Sequence, residues 1–115
     1  MNVTIFGIGK MGLPLAVTFA SKGFEVTGVD VNEELVKKVN SGAPCLPEEP
    51  GVDEALAKAV EGGTLKATTR GSACKDSEII IILVPTLIRE TGDGVKPDLS
   101  IVREVAKTIG ENVSR

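Results

Sequence analysis

The residues that could do chemistry in this chain are three glycines and one acid. Gly7-Ile8-Gly9-Lys10-Met11-Gly12 is a G-x-G-x-x-G turn, and Asp30 follows about 18 residues after its last glycine. Each glycine has a separate physical task. Gly7 lets the chain turn sharply, Gly9 lets backbone approach a pyrophosphate without a side chain between them, and Gly12 lets a following helix pack close to a strand. Gly9 is also expected to need a positive φ, so that any larger residue there would be strained. A helix that starts at this turn presents unpaired N–H groups and partial positive charge to phosphates. Pro14 suits its first turn, where a missing N–H costs nothing. With an apolar segment on either side and an acid at the end of the second, the pattern points to a bound dinucleotide. The alternative is a glycine turn that only joins a strand to a helix.

Asp30 would accept hydrogen bonds from the adenosine ribose hydroxyls. It would repel a 2′-phosphate, because two charges about 4 Å apart cost on the order of 4 kcal/mol at a surface-like dielectric. No Arg or Lys lies at 31–36 to offset this, whereas Glu33 and Glu34 do lie there. NAD is therefore expected rather than NADP. The competing role for Asp30 is to cap a helix over 32–40.

The elements that must hold these residues follow from periodicity. Strand one spans 2–6. A helix over about 10–22 has Met11, Leu15 and Phe19 on one face beside Ala16 and Ala20, and Gly23 ends it. Strand two spans 25–29. A helix over 32–40 turns Leu35, Val36 and Val39 inward. A loop at 43–50 contains Pro44, Pro47 and Pro50. A helix over 52–61 carries Asp53 and Glu54 in its first turn, with Val52, Leu56 and Val60 on one face. Strand three spans about 64–68 and a helical turn 71–75. Strand four spans 78–84, and its Ile79–Val84 run suits a strand covered on both faces. A loop of about 13 residues then reaches Pro97-Asp98, where Asp98 is expected to cap a last helix over 99–109 with Ile101, Val102 and Val105 inward. Strands alternating with helices imply an α/β, Rossmann-like doubly wound parallel sheet, here partial. Right-handed crossovers give the order 3-2-1-4. The switch point lies between strands one and four, so the glycine turn should face Val84, Pro85 and Thr86. Thr86 is expected either to offer its hydroxyl to the cofactor or to be an ordinary loop residue.

Composition narrows the function further. The chain has 115 residues, 42% apolar and 25% charged, with net charge −3. That is enough for one domain, and the absence of a basic stripe argues against nucleic acid. The apolar run Ile79–Val84 is too short to span a bilayer and no secretory signal is evident, so the expected compartment is the cytoplasm. With no histidine, there is no histidine base, triad or His-ligated metal within these residues. No metal site is expected. Cys45 and Cys74 form no C-x-x-C motif. Cys74 should pack as a small apolar residue and Cys45 should sit in a loop, with nothing to activate either as a nucleophile.

Four motifs in order, Gly7–Ala16, Glu49-Pro50-Gly51-Val52-Asp53-Glu54, Val84-Pro85-Thr86 and Lys96-Pro97-Asp98-Leu99-Ser100, together resemble the N-terminal part of the UDP-glucose/GDP-mannose dehydrogenase family. The nearest resemblance is to its UDP-N-acetylmannosamine branch, and it covers the whole chain. Such enzymes oxidise the C6 alcohol of a nucleotide sugar to a carboxylate with two NAD⁺, chemistry that serves polysaccharide biosynthesis. The resemblance implies that Gly7, Gly9, Gly12, Asp30 and Thr86 bind the cofactor, with Ile8, Lys10 and Met11 supplying backbone N–H groups. The chain departs from the family in three places. Leu35 stands where members often have a basic residue, Lys10 where many have an aromatic, and Leu87 where many have a proline. The family's catalytic cysteine, lysine and asparagine fall beyond residue 115, and neither cysteine here matches the nucleophile. Residues 1–115 are therefore expected to be a truncated NAD-binding domain without catalytic residues, from an enzyme that is a homodimer at full length.

Two other readings share the glycine turn and the acid. A beta-hydroxyacid dehydrogenase would not explain the Glu-Pro-Gly and Lys-Pro-Asp-Leu-Ser elements. A regulatory nucleotide-sensing module of the kind attached to potassium channels would leave the loops at 43–50 and 85–97 unexplained. If strand four ends the sheet, its edge is expected to pair with a second copy of the chain.

Overall fold

A computed structural model describes residues 1–84, 87–91, 94–98 and 100–112, the two middle segments by their backbone alone. Its strands are β1 (Asn2–Phe6), β2 (Glu25–Val29), β3 (Leu65–Thr68), β4 (Ile79–Ile82), β5 (Leu87–Thr91) and β6 (Gly94–Asp98). Its helices are α1 (Gly12–Ser21), α2 (Glu33–Asn40), α3 (Val52–Glu61) and α4 (Ser100–Asn112), with a 3₁₀ turn at Gly71–Asp76. The main sheet is parallel in the order β3-β2-β1-β4, as expected.

Alternation along β1 divides the core in two. Val3 and Ile5 point to one face and meet Leu13, Ala16, Val17 and Ala20 of α1, Val36 and Val39 of α2, and Leu56 and Ala59 of α3. Phe6 points to the other face and packs with Val29 and Cys74, against Ile80, Val105 and Ile109. Cys74 is buried as expected. Thr4 is also buried on this second face, and its hydroxyl is satisfied by a hydrogen bond with the Ser77 hydroxyl.

Four differences from the sequence reading have physical causes. The inward face of α1 is Leu13/Ala16/Val17/Ala20 rather than one led by Met11, because the helix starts at Gly12 and leaves Met11 in the turn, 74% exposed. The expected loop at 85–97 contains the antiparallel hairpin β5–β6, with Arg89 opposite Lys96. Strand β4 is shorter than expected and its four isoleucines stay partly exposed, because among the described residues it pairs only with β1. Finally, α4 begins at Ser100, two positions after Asp98, which closes β6 and whose side chain lies outside the described residues.

The two edges of the sheet are treated differently. At β3, the side chain of Asn40 imitates a neighbouring strand: its Nδ2 donates to Ala67 O at 2.9 Å and its Oδ1 accepts from Ala67 N at 2.8 Å. This interrupts the row of open backbone groups that an edge offers. Asn40→Ala should lower unfolding stability by about 2 kcal/mol, one net hydrogen bond for each lost contact. A urea titration checks this, and an unchanged midpoint would show that the pair contributes nothing.

Candidate dinucleotide site

The glycine turn sits where β1 feeds α1, at the carboxyl end of the sheet. Gly7 has φ 96°, and a Cβ there would run into the carbonyl oxygen of Leu83 just beyond β4. Its N–H donates to Val29 O at 2.7 Å, which ties the turn to the end of β2. A Cβ on Gly12 would collide with the carbonyl of Gly7, so the third glycine is what allows α1 to start against β1. Gly9 differs from both. Its φ is not positive, contrary to expectation, and a Cβ there would meet nothing within 4 Å. The fold itself therefore makes no demand for glycine at position 9.

The start of α1 is bare. Asn32 caps α2 by accepting from Leu35 N at 3.1 Å, and α2 and α3 both carry two acids in their first turns. Helix α1 has neither a side-chain cap nor an acid there. Among the described residues, none accepts a hydrogen bond from the N–H groups of Gly9, Lys10, Met11 or Gly12. Four consecutive donors at a helix N-terminus, with open space over Gly9, form a cradle for an anion. The pyrophosphate of a dinucleotide fits this arrangement.

Ile8 plays another part. Its N–H donates to Asp30 Oδ2 at 3.1 Å, so it is engaged inside the protein and not turned toward a phosphate. Its side chain is buried and lies directly over Gly28, where a Cβ would clash with it. Gly28 was not singled out from the sequence, although a glycine inside a strand signals a close approach of this kind. Asp30 also accepts from Asn32 N at 3.0 Å through Oδ1. The helix cap is therefore Asn32, and Asp30 braces the glycine turn against the end of β2. A carboxylate holding two N–H groups retains lone pairs that ribose hydroxyls can use. Beside it, Val31 is 93% exposed, an apolar side chain left in water next to the acid.

Val84 lies partly buried after β4, facing the same end of the sheet. Pro85 and Thr86 lie outside the described residues. The three-proline loop is pinned by Asp53, whose Oδ1 accepts from Cys45 N at 2.8 Å and Leu46 N at 2.9 Å. Burial pushes the Cys45 thiol up, opposed by Lys38 and reinforced by Asp53, and burial likewise raises Cys74. Both thiols stay protonated at neutral pH, which suits neither to nucleophilic attack. Among the described residues, no helix is long and apolar enough to cross a membrane.

Residues 1–115 match the family model described as the UDP-glucose/GDP-mannose dehydrogenase family, NAD binding domain. The chain is 37% identical over its whole length to a UDP-N-acetyl-D-mannosamine dehydrogenase of Pyrococcus horikoshii, of which it covers 26%. Among solved structures, it resembles a UDP-D-ManNAc dehydrogenase from the same organism with a TM-score of 0.87 and 38% identity, covering 100% of this chain and 26% of that one. A ternary complex of GDP-mannose dehydrogenase from Pseudomonas aeruginosa follows at a TM-score of 0.84 and 32% identity, covering 96% of this chain and 24% of that one. The chain thus spans about a quarter of the length of the curated relatives it matches.

Proposed function

The chain belongs to the UDP-glucose/GDP-mannose dehydrogenase family, and from that premise we propose that it is the NAD-binding portion of a nucleotide-sugar 6-dehydrogenase, in which Gly7, Gly9, Lys10, Met11, Gly12 and Asp30 hold the cofactor. The observation that carries this reading is the bare start of α1, with four N–H groups that have no partner among the described residues, beneath open space at Gly9. Asp30 is assigned to the adenosine ribose, with Ile8 holding the acid in place through its N–H. Val84, Pro85 and Thr86 are assigned to the opposite wall of the site. Bound NAD supplies the hydride acceptor, and the residues of this chain bind and orient it.

The substrate class we propose is a UDP-hexose whose C6 alcohol becomes a carboxylate. That is a four-electron oxidation and requires two hydride acceptors. In an enzyme carrying these residues as its N-terminal domain, oxidation of UDP-N-acetylmannosamine should release two NADH per sugar. Release of a single NADH, or none with any of UDP-glucose, UDP-N-acetylmannosamine and GDP-mannose, would overturn the substrate assignment. The 115 residues by themselves should show no NADH production with the same three sugars, because they hold no histidine base and both thiols are raised. Turnover by this chain alone would place the chemistry elsewhere than proposed.

We place the protein in the cytoplasm, where nucleotide sugars and NAD are both available, and we assign the whole enzyme a homodimeric state. The isolated chain should in addition self-associate through β4, because Ile79–Ile82 offers an edge with no neighbour beyond it among the described residues and Ile82 is 38% exposed. Light scattering over a concentration series checks this, and a strictly monomeric chain would contradict it.

A further inference from the structure

The second face of the sheet is covered only in part. Over β1 and β4, the 3₁₀ turn and α4 pack on Phe6 and Ile80. Val29, at the end of β2, is buried on this face with Phe6 and Cys74, but over the rest of β2 and over β3 the face is open and its strand residues are polar. Val26, Leu65 and Ala67 point into the core on the first face, so alternation turns Thr27, Lys66 and Thr68 to the second. Together with Arg70, Ser72 and Ala73 these three line a cleft of about 310 Å³. Strands of a parallel sheet are ordinarily apolar on both faces. Here the lining comprises two cationic residues, three hydroxyl-bearing residues and Ala73, with no carboxylate.

Neither cation is neutralised: among the described residues, Lys66 and Arg70 have no ion-pair partner. The Arg70 N–H donates to Thr68 Oγ1 at 3.2 Å, which folds the chain back over the end of β3 and leaves the Thr68 hydroxyl proton free to donate. An adjoining cleft of about 290 Å³ shares Thr27, Lys66 and Ala73 and adds Glu25 and Asp76. Glu25 starts β2, so the negative charge of that cleft lies toward the amino end of the sheet, while Thr68, Arg70 and Ser72 lie toward the carboxyl end. Protection of an edge strand would account for one lysine on β3. It does not account for Thr27 on an interior strand or for Arg70 and Ser72 beyond the strand, and Asn40 already guards that edge at Ala67.

We propose that the open face over β2 and β3 is an anion site, distinct from the glycine turn, in which Lys66, Arg70 and the hydroxyls of Thr27, Thr68 and Ser72 take a phosphate group. Charge complementarity selects the occupant: two cations unpaired among the described residues and three hydroxyl donors match phosphate oxygens, and an apolar or cationic partner would leave them unanswered.

Inorganic pyrophosphate is the probe, titrated into the isotopically labelled chain while amide signals are followed. A Gly9→Val background keeps the probe off the glycine turn, and the same titration on the parent chain keeps the test valid if valine disturbs the fold. Saturable shifts at Thr27, Lys66, Thr68, Arg70 and Ser72 are expected in both, weakening as salt is raised. In the Gly9→Val background, adding Lys66→Gln/Arg70→Gln should weaken pyrophosphate binding at least about tenfold, through loss of two charge-assisted hydrogen bonds, while with Gly9 intact the double variant keeps the NADH affinity of the parent. Absence of saturable shifts at these five residues, shifts confined to residues 9–12, or undiminished pyrophosphate binding when Lys66→Gln/Arg70→Gln is added to the Gly9→Val background would each overturn the site. Failure of NADH to bind the parent chain would instead count against the dinucleotide reading.

Discussion

Gly9→Val should abolish NADH binding while leaving the fold standing. Space above Gly9 is open and its φ is not positive, so the protein itself has no objection to a side chain there. A branched side chain would fill the path that lets a pyrophosphate reach the N–H groups of residues 9–12. The expected loss is at least a hundredfold in affinity, roughly 3 kcal/mol, with a melting temperature close to that of the parent. Gly12→Val is the counterpart. There a Cβ runs into the Gly7 carbonyl, so the variant should be strongly destabilised or unfolded rather than selectively defective. Calorimetric titration paired with thermal melting separates the two. With no Trp or Tyr in the chain, quenching of their emission cannot report binding. Normal NADH affinity in Gly9→Val would remove the phosphate cradle from the account.

The second large effect concerns Asp30. Asp30→Asn should weaken NADH binding by about ten- to a hundredfold, since hydrogen bonds to a charged group are worth about 1.5–3 kcal/mol. It should also raise affinity for NADPH relative to NADH, because the charge that opposes a 2′-phosphate is gone. Asparagine keeps the size of the side chain and one carbonyl oxygen, so either the Ile8 or the Asn32 N–H retains its acceptor. The fold should survive, with a modest drop in melting temperature. Parent chain that prefers NADPH, or a variant whose two affinities fall together, would show that Asp30 only braces the turn.

Much of this site was legible from spacing because glycine and acid positions answer to backbone geometry, which is local. Gly7 and Gly12 are required by the fold itself, and the strand order followed from handed crossovers. What escaped was set by partners distant in the chain. Ile8 gives its N–H to Asp30 and its side chain to Gly28, a relation that exists only once β1 and β2 are paired. Asp53 read as an acid favouring a helix start, but it also pins the loop at Cys45 and Leu46. The β5–β6 hairpin lies in a segment that reads as a loop; Pro97 is disfavoured within a strand, although Gly92-Asp93 is a residue pair that favours a hairpin turn. The isoleucine run read as a strand covered on both faces. Its partial exposure arises from its place at the edge of the described sheet, which periodicity does not encode.

The measurement that bears most directly on the central claim is a chemical-shift titration of the labelled chain with NADH. The account predicts saturable shifts concentrated at the amides of Gly9, Lys10, Met11 and Gly12 and at Asp30, Val31 and Asn32, and their loss in Gly9→Val. Saturable binding that leaves those amides unmoved, or no binding of NADH by the folded parent chain, would contradict it.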